Sequence, residues 1–173
     1  SPLEVAIGHS STAMIDLLVE KGADVKMTTN LVKAIQYEVG HSNVEHLVDN
    51  HALDVNEPIG DNTALLLTTY AYGFSGSNLF AMKKLIEWGA DVNAPQTSDK
   101  IGHNDEKHAG LISNPLTYVD RCNSGRTPLI HIARLDAKHA IPAIEMLLNA
   151  GADIEKPDAH GRTPLMHCAY DTS

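Results

Sequence analysis

The sequence is short of cations, cysteine and aromatic rings. Thirteen Lys and Arg stand against 22 Asp and Glu, a formal charge of -9, which is the wrong sign for tracking a phosphate backbone or an anionic lipid surface. Nucleic acid is not an expected partner. The two cysteines, Cys122 and Cys168, are too few for a disulfide framework and suit a reducing, intracellular compartment. Long apolar runs are missing as well. The longest, Ala64 to Phe74, is interrupted by Thr68, Thr69 and Gly73 and falls far short of a membrane span, so no membrane insertion is expected. The sequence holds no phosphate-cradling glycine loop, no GxSxG elbow and no dinucleotide fingerprint. Asp105 and Glu106 adjoin in a polar stretch with nothing to bury one and raise its pKa. Neither catalysis nor a cofactor is expected of this segment.

What the chain does have is ordinary globular composition, 43% hydrophobic and 20% charged over 173 residues, arranged as a repeat. Gly125 to Leu129 reads GRTPL and so does Gly161 to Leu165, 36 positions later. Ser1-Pro2-Leu3 aligns with Thr127-Pro128-Leu129, and weaker copies stand at Thr29-Asn30-Leu31 and Thr63-Ala64-Leu65. A Ser or Thr hydroxyl can accept from an orphan amide of the first helical turn, and Pro next to it has no amide to leave unpaired, so each start predicts a helix N-terminus. Because Ser1-Pro2-Leu3 is already a start, the natural N-terminus is expected to lie upstream. Closing signals follow at Gly22-Ala23-Asp24, Gly89-Ala90-Asp91 and Gly151-Ala152-Asp153, where glycine can take the left-handed conformation that ends a helix. At Ala52-Leu53-Asp54 the glycine is lost.

Between start and close, each unit carries two apolar-periodic segments. Leu3, Ala6 and Ile7 lie on one helical face, and Met14, Ile15, Leu18 and Val19 on another. The same pattern pairs Leu31 to Tyr37 with Val44 to Val48, Leu65 to Ala71 with Leu79 to Ile86, and Leu129 to Leu135 with Ile141 to Leu148; a last single helix ends at Tyr170. These residues resemble the ankyrin repeat family, in which Thr-Pro-Leu opens the first helix and Gly-Ala-Asp-Val-Asn closes the second in a unit of about 33 residues. The resemblance implies an all-α fold, an ankyrin-repeat solenoid of stacked helix-turn-helix units with hairpin-like turns. Repeats are expected at about 1–28, 29–62, 63–94 and 123–158, with a partial one at 159–173 and an insertion at 95–122. Against the family length, the turn between Asp24 and Thr29 is five residues short and Asp91 to Thr127 carries 26 extra. The family's His after Thr-Pro-Leu is replaced by Ile130 and Met166, with His131 and His167 one place later, so the family's structural hydrogen bond is not assigned to them.

A stacked array of this kind presents a concave surface and a row of turn tips. Transferred by position, the resemblance implies a protein or peptide partner at Asn62, Tyr70, Tyr72, Asn123, Ser124, Arg126, Arg134, His160, Arg162 and Tyr170. Arg126, Arg134 and Arg162 would gather three cations on an acidic protein and favour an acidic peptide; alternatively they pair with Asp158 or Asp171. The polar half of the insertion, Gln96 to Gly110, is followed by Leu111, Ile112, Leu116, Tyr118 and Val119, apolar enough to dock. Asn93, eight residues after Leu85, resembles an asparaginyl hydroxylation site of the family, although side-chain bonds to a turn explain it as well.

No metal is expected. His103 and His108 are five apart, which separates them around a helix, and His131, His167 and Cys168 fall on different stacked units. The expected function is a non-catalytic interaction module in the cytoplasm, or in a host cytoplasm if the source is an intracellular bacterium. The alternative is a structural or substrate-positioning part of a larger enzyme or secreted bacterial effector whose catalytic segment lies elsewhere.

Overall fold

The computed structural model describes residues 2–9, 12–35, 38–69, 76–97, 125–135 and 137–170. Among these, all regular structure is helical apart from an isolated bridge between Ile59 and Asn62. The helices are α1 (Pro2–His9), α2 (Thr12–Glu20), α3 (Thr29–Ile35), α4 (Glu38–His51), α5 (Ala64–Thr69), α6 (Gly76–Glu87), α7 (Pro128–Ala133), α8 (Ala137–Asn149) and α9 (Pro164–Tyr170).

Helix starts follow the threonines. Thr127, extended at φ -81 and ψ 165, accepts from the Ile130 amide, and Pro128 fills the first helical position. Thr63 Oγ1 accepts from Leu66 in the same way. In the second unit the capping hydroxyl belongs to Thr28, which accepts from the Leu31 amide at 3.3 Å. The cap therefore precedes Thr29 by one residue, and Thr29 is the first residue of the helix.

Three second helices close alike. The amide of Ala23 bonds Leu18 O while that of Gly22 bonds Val19 O, and the pairs recur at Ala90 and Gly89 and at Ala152 and Gly151, the Schellman arrangement with a left-handed residue after the helix. In α4 the left-handed position falls to Ala52, at φ 53. Leu53 N–H there reaches Leu47 O, six residues back rather than five, so the last turn of α4 carries one residue more than its counterparts.

Packing follows the repeat. Short helices α1, α3, α5, α7 and α9 touch in succession, forming one layer; α2 meets α4 and α6 meets α8 in the other layer, and α1, α3, α5 and α7 each pack on the long helix that follows. Leu3, Ile7, Ile15, Leu31, Ile35, Leu47, Leu65, Met82, Leu85, Leu129, Ile132 and Leu147 form one continuous buried core between the layers. Each such side chain contributes roughly 1.5–3 kcal/mol of burial. Asparagines tie the layers together: Asn43 Nδ2 donates to Ile7 O at 2.9 Å and Asn78 Nδ2 to Thr68 O at 3.1 Å, each satisfying a carbonyl that the end of a short helix leaves free.

Candidate functional site

Turns between units form one edge of the array, and their stems share a hydrogen-bond pattern. In the last turn, Asp158 N–H donates to Arg162 O (2.9 Å) and Gly161 N–H to Asp158 O (2.9 Å). In the preceding turn, Gln96 N–H donates to Arg126 O (2.9 Å) and Gly125 N–H to Gln96 O (2.8 Å). The stems are equivalent, but 97–124 stands where the last turn has only Ala159 and His160. Gln96 and Gly125 thus pair across 28 residues where Asp158 and Gly161 pair across two. At the second turn, Ile59 and Asn62 exchange amide bonds at 2.7 and 3.3 Å.

Neighbouring turns touch. Thr97 N–H donates to Asp61 O at 3.0 Å and its hydroxyl to the same oxygen at 3.3 Å. Gly125, at φ +76, lies so close to the next turn that a Cβ there would stand 2.5 Å from the Ala159 amide nitrogen. Only glycine satisfies both the conformation and the contact. Behind the tips, Asn56 and Asn93 clamp successive closing loops. Asn56 Nδ2 donates to Gly89 O and its Oδ1 accepts from Asp91 N–H, at 3.0 and 2.7 Å. Asn93 repeats this on Gly151 O and Asp153 N–H, at 3.0 and 2.8 Å. Both polar atoms of Asn93 are thus engaged in stacking units.

Asp158 is the hub of the last turn, buried with its side chain fully covered. Oδ1 accepts from the amides of His160 (2.9 Å) and Arg162 (3.0 Å), while Oδ2 accepts from Arg162 Nε (3.0 Å) and lies 2.9 Å from His167 Nε2. Burial alone would raise this carboxyl; the Arg162 amide, the His167 ring, the His160 amide and the Arg162 charge outweigh it and hold the pKa at about 2. His131, one unit back, is pushed down to about 3 by burial and by the charges of Arg126 and Arg134 and by His167. His167 is also lowered, by burial and the charges of Arg126 and Arg162, against the pull of Asp158.

The three arginines share this region but not as an outward cationic face. Arg126 is 1% exposed and is itself one of the largest buried side chains, which corrects its placement on an accessible tip: its charge lies close enough to act on His131 and His167. Arg162, with its side chain 19% exposed, is bound to Asp158. Arg134 caps α7 through its N–H to Ile132 O and is half-buried. His160 is exposed, and Asn62 is half-buried in its bridge. Tyr70, Tyr72, Asn123 and Ser124 lie outside the described residues, as does the side chain of Tyr170. His167, one place late for the family pattern, nonetheless takes a structural bond to the turn, through Asp158. Cys168 is half-buried, its thiol donating to Ala133 O at 3.2 Å.

With this geometry in view, comparison with known proteins gives a partial likeness. No family of known sequences matches the chain. A segment is 34% identical over 93 residues to neurogenic locus notch homolog protein 2 of Homo sapiens, and equally to that of Mus musculus, covering 49% of this chain and 4% of the relative. That protein contains ankyrin repeats. The chain thus matches only a small part of its relatives' length. Among the described residues no helix is long and apolar enough to cross a membrane.

A separate constellation, unmarked by the repeat pattern, lies on the long-helix layer. Asp16 of α2 meets His46 and His51 of α4, with both Nε2 atoms on Asp16 Oδ1 at 2.7 and 2.6 Å. Hydrogen bonds from His46, then His51, lower the Asp16 pKa. The one sequence signal for it is the lost glycine at Ala52, which marks an altered helix end beside His51.

Proposed function

We propose that the chain is a non-catalytic interaction module that holds a protein or peptide partner along its edge of turn tips, with the spliced segment 97–124 as the main determinant. The contact of successive tips, Asp61 with Thr97 and Gly125 with Ala159, carries this reading, because it makes a continuous ridge on which exposed Gly60, Asp61, Ala159 and His160 stand in a row. The undisturbed stem beneath 97–124 supports treating that segment as an addition to the fold. Neither relative bears an enzyme's name, in keeping with a non-catalytic role. Arg126 and Arg162 belong to the polar cluster around Asp158 and His131 and leave no cationic face for an acidic partner.

Replacing residues 97–124 with the Ala-His pair of the last turn tests it. The shortened chain should keep its helical circular dichroism and cooperative melting yet lose cross-linked partners that the intact chain captures from lysate. Equal capture by both chains would remove the segment from the binding surface. A lost thermal transition would show that it belongs to the fold.

A further inference from the structure

The geometry points to a divalent transition-metal site formed by Asp16, His46 and His51, with Zn2+ as the ion its ligands fit best. The three side chains offer one carboxylate oxygen and two imidazole nitrogens, all within 4.8 Å of one another. Imidazole with carboxylate is a zinc donor set, three protein ligands leaving a position for water. All three are partly covered, with side-chain exposures of 41%, 22% and 18% for Asp16, His46 and His51, so an ion can enter and keep a water ligand.

The backbone explains why residues five apart converge. On a regular α-helix, positions 46 and 51 point in different directions. Here His51 is the last residue of α4, in the turn that carries an extra residue and closes from Leu53 N–H to Leu47 O before Ala52 turns left-handed. That wider turn brings the His51 ring to within 5.5 Å of the His46 ring, centroid to centroid, and both face Asp16 of the preceding unit.

A supporting group is also in place. Asn50 lies with its carboxamide 3.1 Å from His46 Nδ1. With an ion on Nε2, the proton moves to Nδ1, and Asn50, giving up its 3.1 Å bond to His46 O, turns its oxygen to that proton as partners of metal-bound histidines do. Tetrahedral ligands at about 2.0–2.1 Å from zinc lie roughly 3.3 Å apart, so the nitrogens must withdraw from Asp16 by roughly 0.6 Å, a side-chain adjustment. Bound there, the ion joins α2 of the first unit to α4 of the second.

Titration of the intact chain with Co2+ and Zn2+ tests the site. One equivalent of Co2+ should give visible ligand-field bands, displaced by Zn2+, and Zn2+ should raise the Tm. Asp16→Asn and His51→Gln should each weaken Kd by about tenfold or more, while His41→Gln, a histidine of α4 outside the cluster that meets the Phe80 ring edge-on, should bind as the parent does. Equal affinity in the parent, D16N and H51Q, or equal loss in H41Q, would overturn the proposal. Should either ligand variant fail to fold, histidine 15N spectra of the unmodified chain decide: Zn2+ must shift Nε2 of His46 and His51 selectively among the ten histidines, and shifts spread over the others overturn it.

Discussion

Junctions at the two ends of the array are built in opposite ways. Between α8 and α9 a complete hairpin is held by one buried carboxylate, Asp158, which gathers two amides, a guanidinium and an imidazole. Between α2 and α3 the chain runs through Val25 to Thr28 directly into the next helix. What joins the units there comes from afar in sequence. Met27 N–H reaches Glu57 Oε2 at 3.2 Å, Asn43 reaches Ile7 O, and Asp16 meets His46 and His51. A local turn motif secures one end, and cross-unit side chains secure the other.

The contrast can be broken most forcibly at Asp158. Its replacement by Ala leaves half-buried Arg162 and buried His167 without their carboxylate partner and should cost about 4 kcal/mol, read as a lower urea midpoint with residues 150–170 exchanging their amides first. Exchange that accelerates first around α2 and α4 would mean the hairpin is not the stronger junction.

Acid should attack the same end. His131 titrates near 6.5 when unfolded and at about 3 in the fold, so the unfolded chain binds the additional proton across that window. Stability is then full above pH 6.5 and is lost as pH falls toward 3, on the order of 3 kcal/mol by about pH 4. Asp158, falling from 3.8 to about 2, extends the loss at still lower pH, because its contribution persists only while it stays ionised. Denaturation at pH 7.5, 5.5 and 4 measures the slope, and His131→Leu should flatten its upper part; an unchanged slope would mean that His131 is not the group responsible.

Gly125→Ala probes the contact between tips. A side chain at φ +76, meeting the Ala159 amide at 2.5 Å, should cost about 2 kcal/mol, with a matching drop in Tm. The smallest effect has the opposite sign. Ala52→Gly relieves the left-handed alanine at φ 53 and should add about 1 kcal/mol, a Tm rise of roughly 2–4 °C. No gain would show that the widened turn, and not the missing methyl-free residue, sets the stability of the second unit.

Much of the fold could be read in advance because its signals are local. Thr127-Pro128 and Thr63 cap helices through their own third neighbours, and Gly22, Gly89 and Gly151 close them with φ near +90. The cap at Thr28 was displaced by one residue because two adjacent threonines offer the same hydroxyl, and only the backbone decides which is extended. The site was less legible. Arg126 and Arg162 occupy the same motif position, GRTPL, yet one is buried at 1% and the other bonds Asp158 at the edge. The difference lies partly in the residue opposite: Gln96 stands in the first turn where Asp158 stands in the second.

Sequence alone determined the helical character and most of the helix starts and closes, since each depends on contacts within a few residues of chain. Tertiary structure alone decided which arginine faces inward, that His167 shares a buried carboxylate, and that Asp16 finds two histidines at residues 46 and 51. Those meetings depend on how one unit is stacked on the next and on a single extra residue at the end of α4. Repeat spacing fixes the order of the units, while the rotation of each side chain into the neighbouring unit is set only when the layers pack.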